Sequence, residues 1–358
     1  MSDSVVLSAV AGEPGVYVVG GAVRDQLLGR EPRELDLVVE GDAVAVARRA
    51  AERVGGALTV HERFGTATVL ADGVAFDVAG ARRESYSRPG ALPDVELGAS
   101  IEEDLERRDF TVNAIARRLS DDEIVAFPGA RDDLRAGVLR VLHDRSFIDD
   151  PTRMLRLVRY AHRLGFEIDP DTAALVDPAL FATVSGERLG NELRLLVRED
   201  AMAALERFGL GRALLGEGFQ PAPGLFALVD VPLDRFGFTA RERDIVAGLK
   251  RLRDVSGTDV ELWRAFRRER PETIELLATP AARRWLDVVR HRTLEIDGHD
   301  LVAAGLSGPA VGEGLERATV AMLEGRAPDR ESQLREATAA DDGEERARER
   351  REGGEQER

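Results

Sequence analysis

The sequence has no cysteine, a single lysine (Lys250), four methionines and only 5% aromatic residues in its 358 positions. Without cysteine, a disulfide framework, a thiolate metal site and a cysteine nucleophile are all excluded. A reducing compartment suits such a chain, and a cytoplasmic location is expected. No apolar run reaches the roughly 18 residues needed to span a bilayer. The first fifteen residues, MSDSVVLSAVAGEPG, lack the charged and apolar regions of a signal peptide, so neither secretion nor membrane insertion is expected. Positive charge is in deficit as well: 50 Lys+Arg against 66 Asp+Glu leave a net charge of −16, which excludes a globally basic nucleic-acid coat. The five histidines, His61, His143, His162, His291 and His299, show no paired metal-ligand spacing and read as structural or surface residues.

What is present is a 43% apolar fraction, enough for a core in each of two or three domains. Up to about residue 130, β-branched runs (Val16 to Val19, Leu35 to Val39, Thr66 to Leu70, Val74 to Val78) alternate with helical spacing (Ala22 to Leu28, Ala43 to Val54), which predicts an α/β or α+β module. From Asp149 onward the strand signals stop and apolar residues recur at three and four, as in Met154, Leu155, Val158 and Leu164. The last stretch, Asp341 to Arg358, carries eight acids and five arginines and too little apolar surface to offset its own ordering entropy. Residues 241 to 292 run against the overall charge, with thirteen basic and nine acidic side chains and Trp263, Phe266 and Trp285 interleaved. Two readings stand for them: an RNA-contacting face, or an ordinary solvated helical surface with its aromatics turned inward.

Three motifs carry chemistry. In Val18-Val19-Gly20-Gly21-Ala22-Val23-Arg24-Asp25 a strand enters two glycines and a helix begins at once, so backbone N–H groups face any anion in the turn. Taken alone, such a glycine pair is more often explained by tight packing. Glu34 and Asp36 stand two apart at the start of a predicted strand, where the period of two puts both carboxylates on one face. Asp77 lies in the later strand Phe76-Asp77-Val78. Oxygen ligands converging from neighbouring strands suit Mg²⁺ shared with substrate phosphates; taken singly, each acid reads as a solvated strand residue. Finally, Asp149-Asp150-Pro151-Thr152 opens a helix along which Arg153, Arg156 and Arg159 recur every three residues, either as a guanidinium stripe for a ligand or as a solvated face.

Taken in order, the blocks GGAVRDQLLGR, FGTATV (64–69), FDVAGARRESY (76–86), PGALPDVE (89–96), SIEEDLERRDFTVNAIA (100–116), DDPTRMLRLVRYAHRLGF (149–166) and SGERLGNEL (185–193) resemble the class II tRNA nucleotidyltransferases, the family of bacterial CCA-adding enzymes and poly(A) polymerases. A weaker echo, IDGHDLVAAGLSGPAVGEGL (296–315), looks like the family's carboxy-terminal tail. The resemblance implies an α+β fold: a polymerase-beta-like nucleotidyltransferase head with a small mixed sheet at 1–140, then an all-helical neck (141–200) and an all-helical body and tail (201–328). A charged, disordered tail would follow at 329–358.

By matching positions, Gly20, Gly21 and Arg24 would hold the triphosphate, Glu34 and Asp36 the metal with Asp77 beside them, and Arg108 and Asp109 the ribose region. Asp150, Arg153, Arg156 and Arg159 would hold the incoming nucleotide. The implied reaction is addition of C, C and A to a tRNA 3′ end from CTP and ATP with Mg²⁺ as cofactor, and no protein partner is implied. Asp150 accepting and Arg153 donating would select cytosine and adenine, which both pair an exocyclic amine with a ring-nitrogen acceptor. The chain departs from the family where Glu34-Leu35-Asp36 replaces Asp-x-Asp, where Ala126-Phe127-Pro128-Gly129-Ala130 replaces DPFGG, and where Asp149 replaces Glu. Addition of only CC or only A, a poly(A) polymerase, and a catalytically silent RNA-binding protein are the rival readings.

Overall fold

Val16-Tyr17-Val18-Val19 is buried at all four positions, as a strand must be when both its faces are covered. In the computed structural model, which describes residues 2–32, 35–61 and 65–339, this strand is β1 and lies inside a sheet. The other strands are β2 (Asp36–Val39), β3 (Ala57–His61), β4 (Thr66–Ala71), β5 (Val74–Gly80), β6 (Arg82–Ser85), β7 (Asp94–Leu97), β8 (Ile115–Arg118) and β9 (Ile124–Ala126). Among the described residues seven of them form one mixed sheet in the order β3-β4-β5-β2-β1-β8-β9, while β6 and β7 pair separately. Only β2 and β5 run parallel within the large sheet, with Asp36 opposite Asp77. A parallel neighbour requires a crossover, and the helix Ala43–Val54 with the β3–β4 hairpin supplies it. That helix forms where the sequence predicts it: Asp42 caps it by accepting from the Ala45 N–H at 2.9 Å, and Gly55 closes it in the left-handed conformation. Its buried Ala43, Val46, Ala47, Ala50 and Ala51 follow the helical period.

The strands anticipated at 16–19, 35–39, 66–70 and 74–78 are present to within two residues, whereas β3, β6, β7, β8 and β9 were not anticipated. The reason is visible in their composition: β6 and the end of β8 carry arginines, β9 has three residues, and β3 is partly exposed along its length. The part after residue 140 is largely helical, with one exception. Glu167–Ile168 pairs in parallel with Val138–Leu139, a contact too short to leave a period in the sequence.

The described residues divide into two compact units, the first ending at Phe238 and the second beginning at Thr239. In the first, the sheet is followed by the helices Thr152–Leu164 and Gly186–Arg198, which pack on each other. Gly186 and Gly190 permit a close approach inside this unit, since a Cβ there would meet the backbone oxygens of Arg235 at 1.6 Å and Phe236 at 1.8 Å. The second unit is helical within its described residues. Capping boxes start its helices at Thr239, Thr258, Asp297 and Asp329, and Phe266 packs on Trp285 with ring centroids 6.0 Å apart. Two of the three aromatics of the basic stretch therefore turn inward, and Trp263 lies half-buried beneath Arg267, whose guanidinium carbon is 4.0 Å from the ring. The charged tail expected from 329 is ordered at its start. Residues Arg330–Thr338 form a helix that buries Gln333 and Ala337. The tail expectation for 341–358 lies outside the described residues.

Candidate active site

Gly20 has φ +66° and ψ −128°, and a Cβ there would sit 2.8 Å from Arg108 Nη1. The backbone conformation requires glycine at the end of β1, and the bare Cα leaves room for the end of the arginine. Gly20, Gly21, Asp36, Arg108, Asp109, Asp150, Arg153 and Arg156 line one cleft of about 260 Å³, together with Glu84, Tyr86, Arg107, Asn113 and Tyr160. A second cavity, about 330 Å³, opens on the sheet face and contains Asp36, Asp77, His61, Thr68, Arg82, Arg107 and Arg108. Asp36, Arg107 and Arg108 belong to both.

The structure thus brings most of the candidate residues together, but not all in the expected way. The Gly20 N–H donates to the Ile115 carbonyl at 2.9 Å, because Gly20 still belongs to the ladder between β1 and β8; it is not free to receive an anion. Arg24 lies beneath the glycine turn rather than in the cleft. It is 2% exposed, and its guanidinium is held by Asn113 Oδ1 at 2.5 Å and Asp25 Oδ1 at 2.7 Å. Arg159 is absent from the cleft lining and faces Glu192 and Glu199 at 3.5 and 3.1 Å. Each step of three residues turns a helix 60° short of a full circle, so a stripe that starts in the cleft at Arg153 has left it by Arg159. Glu34 lies outside the described residues.

Asp36 and Asp77 face the same side of adjacent parallel strands, and Thr68 Oγ1 donates to Asp77 Oδ1 at 2.6 Å. Among the described residues no cluster of three or more His, Asp or Glu forms a cation cage. Two in-register carboxylates nevertheless fit Mg²⁺, which takes one or two carboxylates and fills its remaining positions with water and substrate phosphate.

The cleft wall is built from arginine and carboxylate pairs. Burial alone would raise the Asp109 carboxyl, but the Arg156 charge, hydrogen bonds from Asn113 and Arg156, and Arg153 together hold it at about 2. Arg156 donates to Asp109 Oδ2 at 2.8 and 2.6 Å and is raised well above the usual arginine range, chiefly by that carboxylate. Asp104, fully buried, accepts from Arg107 and Arg108; its burial opposes their charges, and the net effect lowers its pKa. Tyr86 donates to Glu84 Oε2, and burial first, with Glu84 and Asp150 nearby, pushes its hydroxyl up to about 12. The Tyr160 ring meets Phe110 edge-on at 5.9 Å, with the guanidiniums of Arg159 and Arg163 each 4.8 Å from its centroid.

Asp150 and Arg153 are engaged by the protein itself. Asp150 Oδ1 accepts from the Thr152 N–H at 3.0 Å, the Thr152 hydroxyl at 2.6 Å and Arg188 at 2.8 Å; Arg153 donates to Ser146 Oγ at 2.8 Å and to the Arg107 carbonyl at 2.7 Å. Motif reading did not assign Glu84, Tyr86, Arg107, Asn113, Tyr160 or Arg188 a role. The spacing Asp104 to Arg107 and Arg108, three and four along one helical turn, was a signal that could have found one of these networks.

Residues 16–140 match the family model of the poly A polymerase head domain. An A-adding tRNA nucleotidyltransferase of Halalkalibacterium halodurans is 44% identical over 218 residues, which are 57% of this chain and 51% of that protein. A CC-adding tRNA nucleotidyltransferase of Deinococcus radiodurans is 40% identical over 207 residues, 56% of this chain and 55% of the relative. The solved structure of a CCA-adding enzyme in an apo form superposes with a TM-score of 0.75 at 27% identity and covers 94% of each chain.

The chain belongs to the class II tRNA nucleotidyltransferases. It spans about half the length of the two curated relatives described here. The polymerase head with its mixed sheet and the largely helical remainder are features it shares with CCA-adding enzyme structures of the family. None of its described helices is long and apolar enough to cross a membrane.

Proposed function

We propose that the chain transfers nucleotidyl groups from CTP and ATP to a tRNA 3′ end, adding C, C and A and releasing pyrophosphate. The observation that carries this reading is the single cleft in which Asp36, the glycine turn and the Arg108, Asp109 and Arg156 cluster converge. In this reading the triphosphate lies along the Gly21 end of the turn, above the buried Arg24 charge. Asp36 and Asp77, with Glu34, would hold a divalent cation, Mg²⁺ in our reading, which supplies charge neutralisation at the phosphates and a lowered pKa at the attacking hydroxyl.

The residues of the chain do the rest. Arg108 and Asp109 orient the sugar, with Asp109 kept ionised by Arg156, so the nucleotide meets an acceptor whose charge does not change near neutral pH. Arg24 and Arg108 oppose the charge that builds on the departing pyrophosphate. Asp150 and Arg153 read the base edge by exchanging bonds they now make within the protein. The four segments expected from the motifs then act as head, base-reading neck, tRNA-binding body and tail, and terminal extension. A-only addition is a second reading, favoured by the 44% identity to an A-adding relative.

A Mg²⁺-dependent incorporation assay with labelled CTP and ATP tests both. It uses tRNAs lacking CCA, ending in C, and ending in CC. Full addition to the first substrate is expected; incorporation of ATP alone, on the CC-ending tRNA only, selects the second reading. No incorporation on any of them overturns the enzymatic reading.

A further inference from the structure

Asn113 occupies the floor of the cleft, between the glycine turn and the arginine wall, and no step described so far uses it. Its side chain is 5% exposed. The carbonyl Oδ1 accepts from Arg24 Nη1 at 2.5 Å, and the amide Nδ2 donates to Asp109 Oδ1 at 2.9 Å. The second Asp109 oxygen accepts from Arg156. An unbroken polar chain therefore runs Asp25–Arg24–Asn113–Asp109–Arg156, from beneath the turn to the helix Thr152–Leu164.

The link between the two charged groups is satisfied by a primary carboxamide and by few other side chains. Toward Arg24 the position must present an acceptor, and toward Asp109 a donor, which fixes the orientation of the amide. Aspartate would set a second carboxylate against Asp109, and an apolar residue would leave both neighbours with a missing partner in a buried site. A hydrogen-bonded chain of this kind polarises along its length, so a shift at one end changes what the other end can offer.

We infer that Asn113 is a positioning residue that ties Arg24, on the triphosphate side, to Asp109, on the sugar side, so that the two ends of the nucleotide are bound as a unit. This rests on the nucleotidyltransferase reading above, and its test separates the two. In the unmodified protein with Mg²⁺, inorganic pyrophosphate should tighten the binding of cytidine at least threefold; independent binding of the two would overturn the inference without any variant. Asn113→Asp keeps the shape and the acceptor for Arg24 but removes the donor to Asp109. It should raise the KM for CTP and ATP about tenfold while kcat stays within about threefold, and abolish the coupling between pyrophosphate and cytidine. Asn113→Ala should do the same with a lower unfolding midpoint.

A merely structural role predicts the opposite pattern: a lower midpoint and less active protein, with KM and coupling unchanged. That pattern would overturn the inference. Failure of the unmodified protein to incorporate any nucleotide would instead overturn the reading on which it rests.

Discussion

The cleft and the second unit use the same residue, arginine, in opposite ways. In the cleft wall and directly behind it, Arg153, Arg24 and Arg159 are nearly inaccessible, and carboxylates, a carboxamide, a hydroxyl or backbone carbonyls fix each of them. In the second unit Arg251 meets Glu269 at 2.7 Å, Arg270 meets Asp244 at 2.5 Å and Arg284 meets Asp259 at 2.5 Å, and each guanidinium is about half exposed. A buried guanidinium without partners is costly, so the cleft is built rigid before any ligand arrives. An exposed pair contributes little and is screened by salt, so its arginine can exchange a carboxylate for a phosphate at small cost. In the proposed function the first surface would position the nucleotide and the second would hold the tRNA.

The sharpest break of this comparison is at Asp36, the exposed acid common to both cavities. Asp36→Ala should lower nucleotide incorporation roughly a thousandfold, in the range seen when one preorganised electrostatic group is lost. The unfolding midpoint should stay unchanged, and a variant that keeps its activity would remove Asp36 from the cation site.

Next comes Asp109. Its carboxyl lies at about 2 in the folded protein against an ordinary value of 3.8, so its stabilising contribution is complete above the ordinary value and is lost as the pH falls through about 2. Asp109→Asn should therefore cost on the order of 2 kcal/mol near neutral pH. Stability curves of the variant and the unmodified protein should converge only below about pH 2, as denaturant titrations across pH would show.

In the second unit the expected effect is on binding. Reversing Arg264, Arg267 and Arg268 to glutamate should weaken tRNA affinity about tenfold and flatten its dependence on salt, because fewer counterions are released. Filter binding at several salt concentrations measures this, and unchanged affinity would move the RNA face elsewhere. A smaller effect is expected at Asp150, where the cleft wall doubles as a helix start. Asp150→Ala should cost about 1 kcal/mol through the lost Thr152 contacts and relax discrimination against UTP and GTP. If only the midpoint moves, capping is its whole role. Smallest of all, Arg270→Ala should leave the midpoint within experimental error although it removes a 2.5 Å ion pair.

Sequence periodicity and turn chemistry were enough for β1, for the capped helix Ala43–Val54 and for the glycine turn, because each rests on neighbours a few residues apart, whereas the grouping of Arg108, Asp109, Asp150, Arg153 and Arg156 came from the resemblance of motif blocks in fixed order to those of the family. Periodicity and turn chemistry were not enough for β6 to β9, whose arginines and short lengths hide the strand pattern.

By itself, the sequence determined where chemistry-bearing residues lie along each element and which local conformations those elements adopt. Only the tertiary structure decided which of them meet. Asp36 faces Asp77 because β2 and β5 pair in parallel across a separation of 41 positions; Arg159, which the helical turn carries out of the cleft, meets Glu192 on the helix Gly186–Arg198 and Glu199 at its end; Asn113 joins Arg24, 89 positions away, to Asp109, 4 positions away. Local rules act through the backbone over three or four residues, whereas the partner across a sheet or a cleft is set by packing between distant segments.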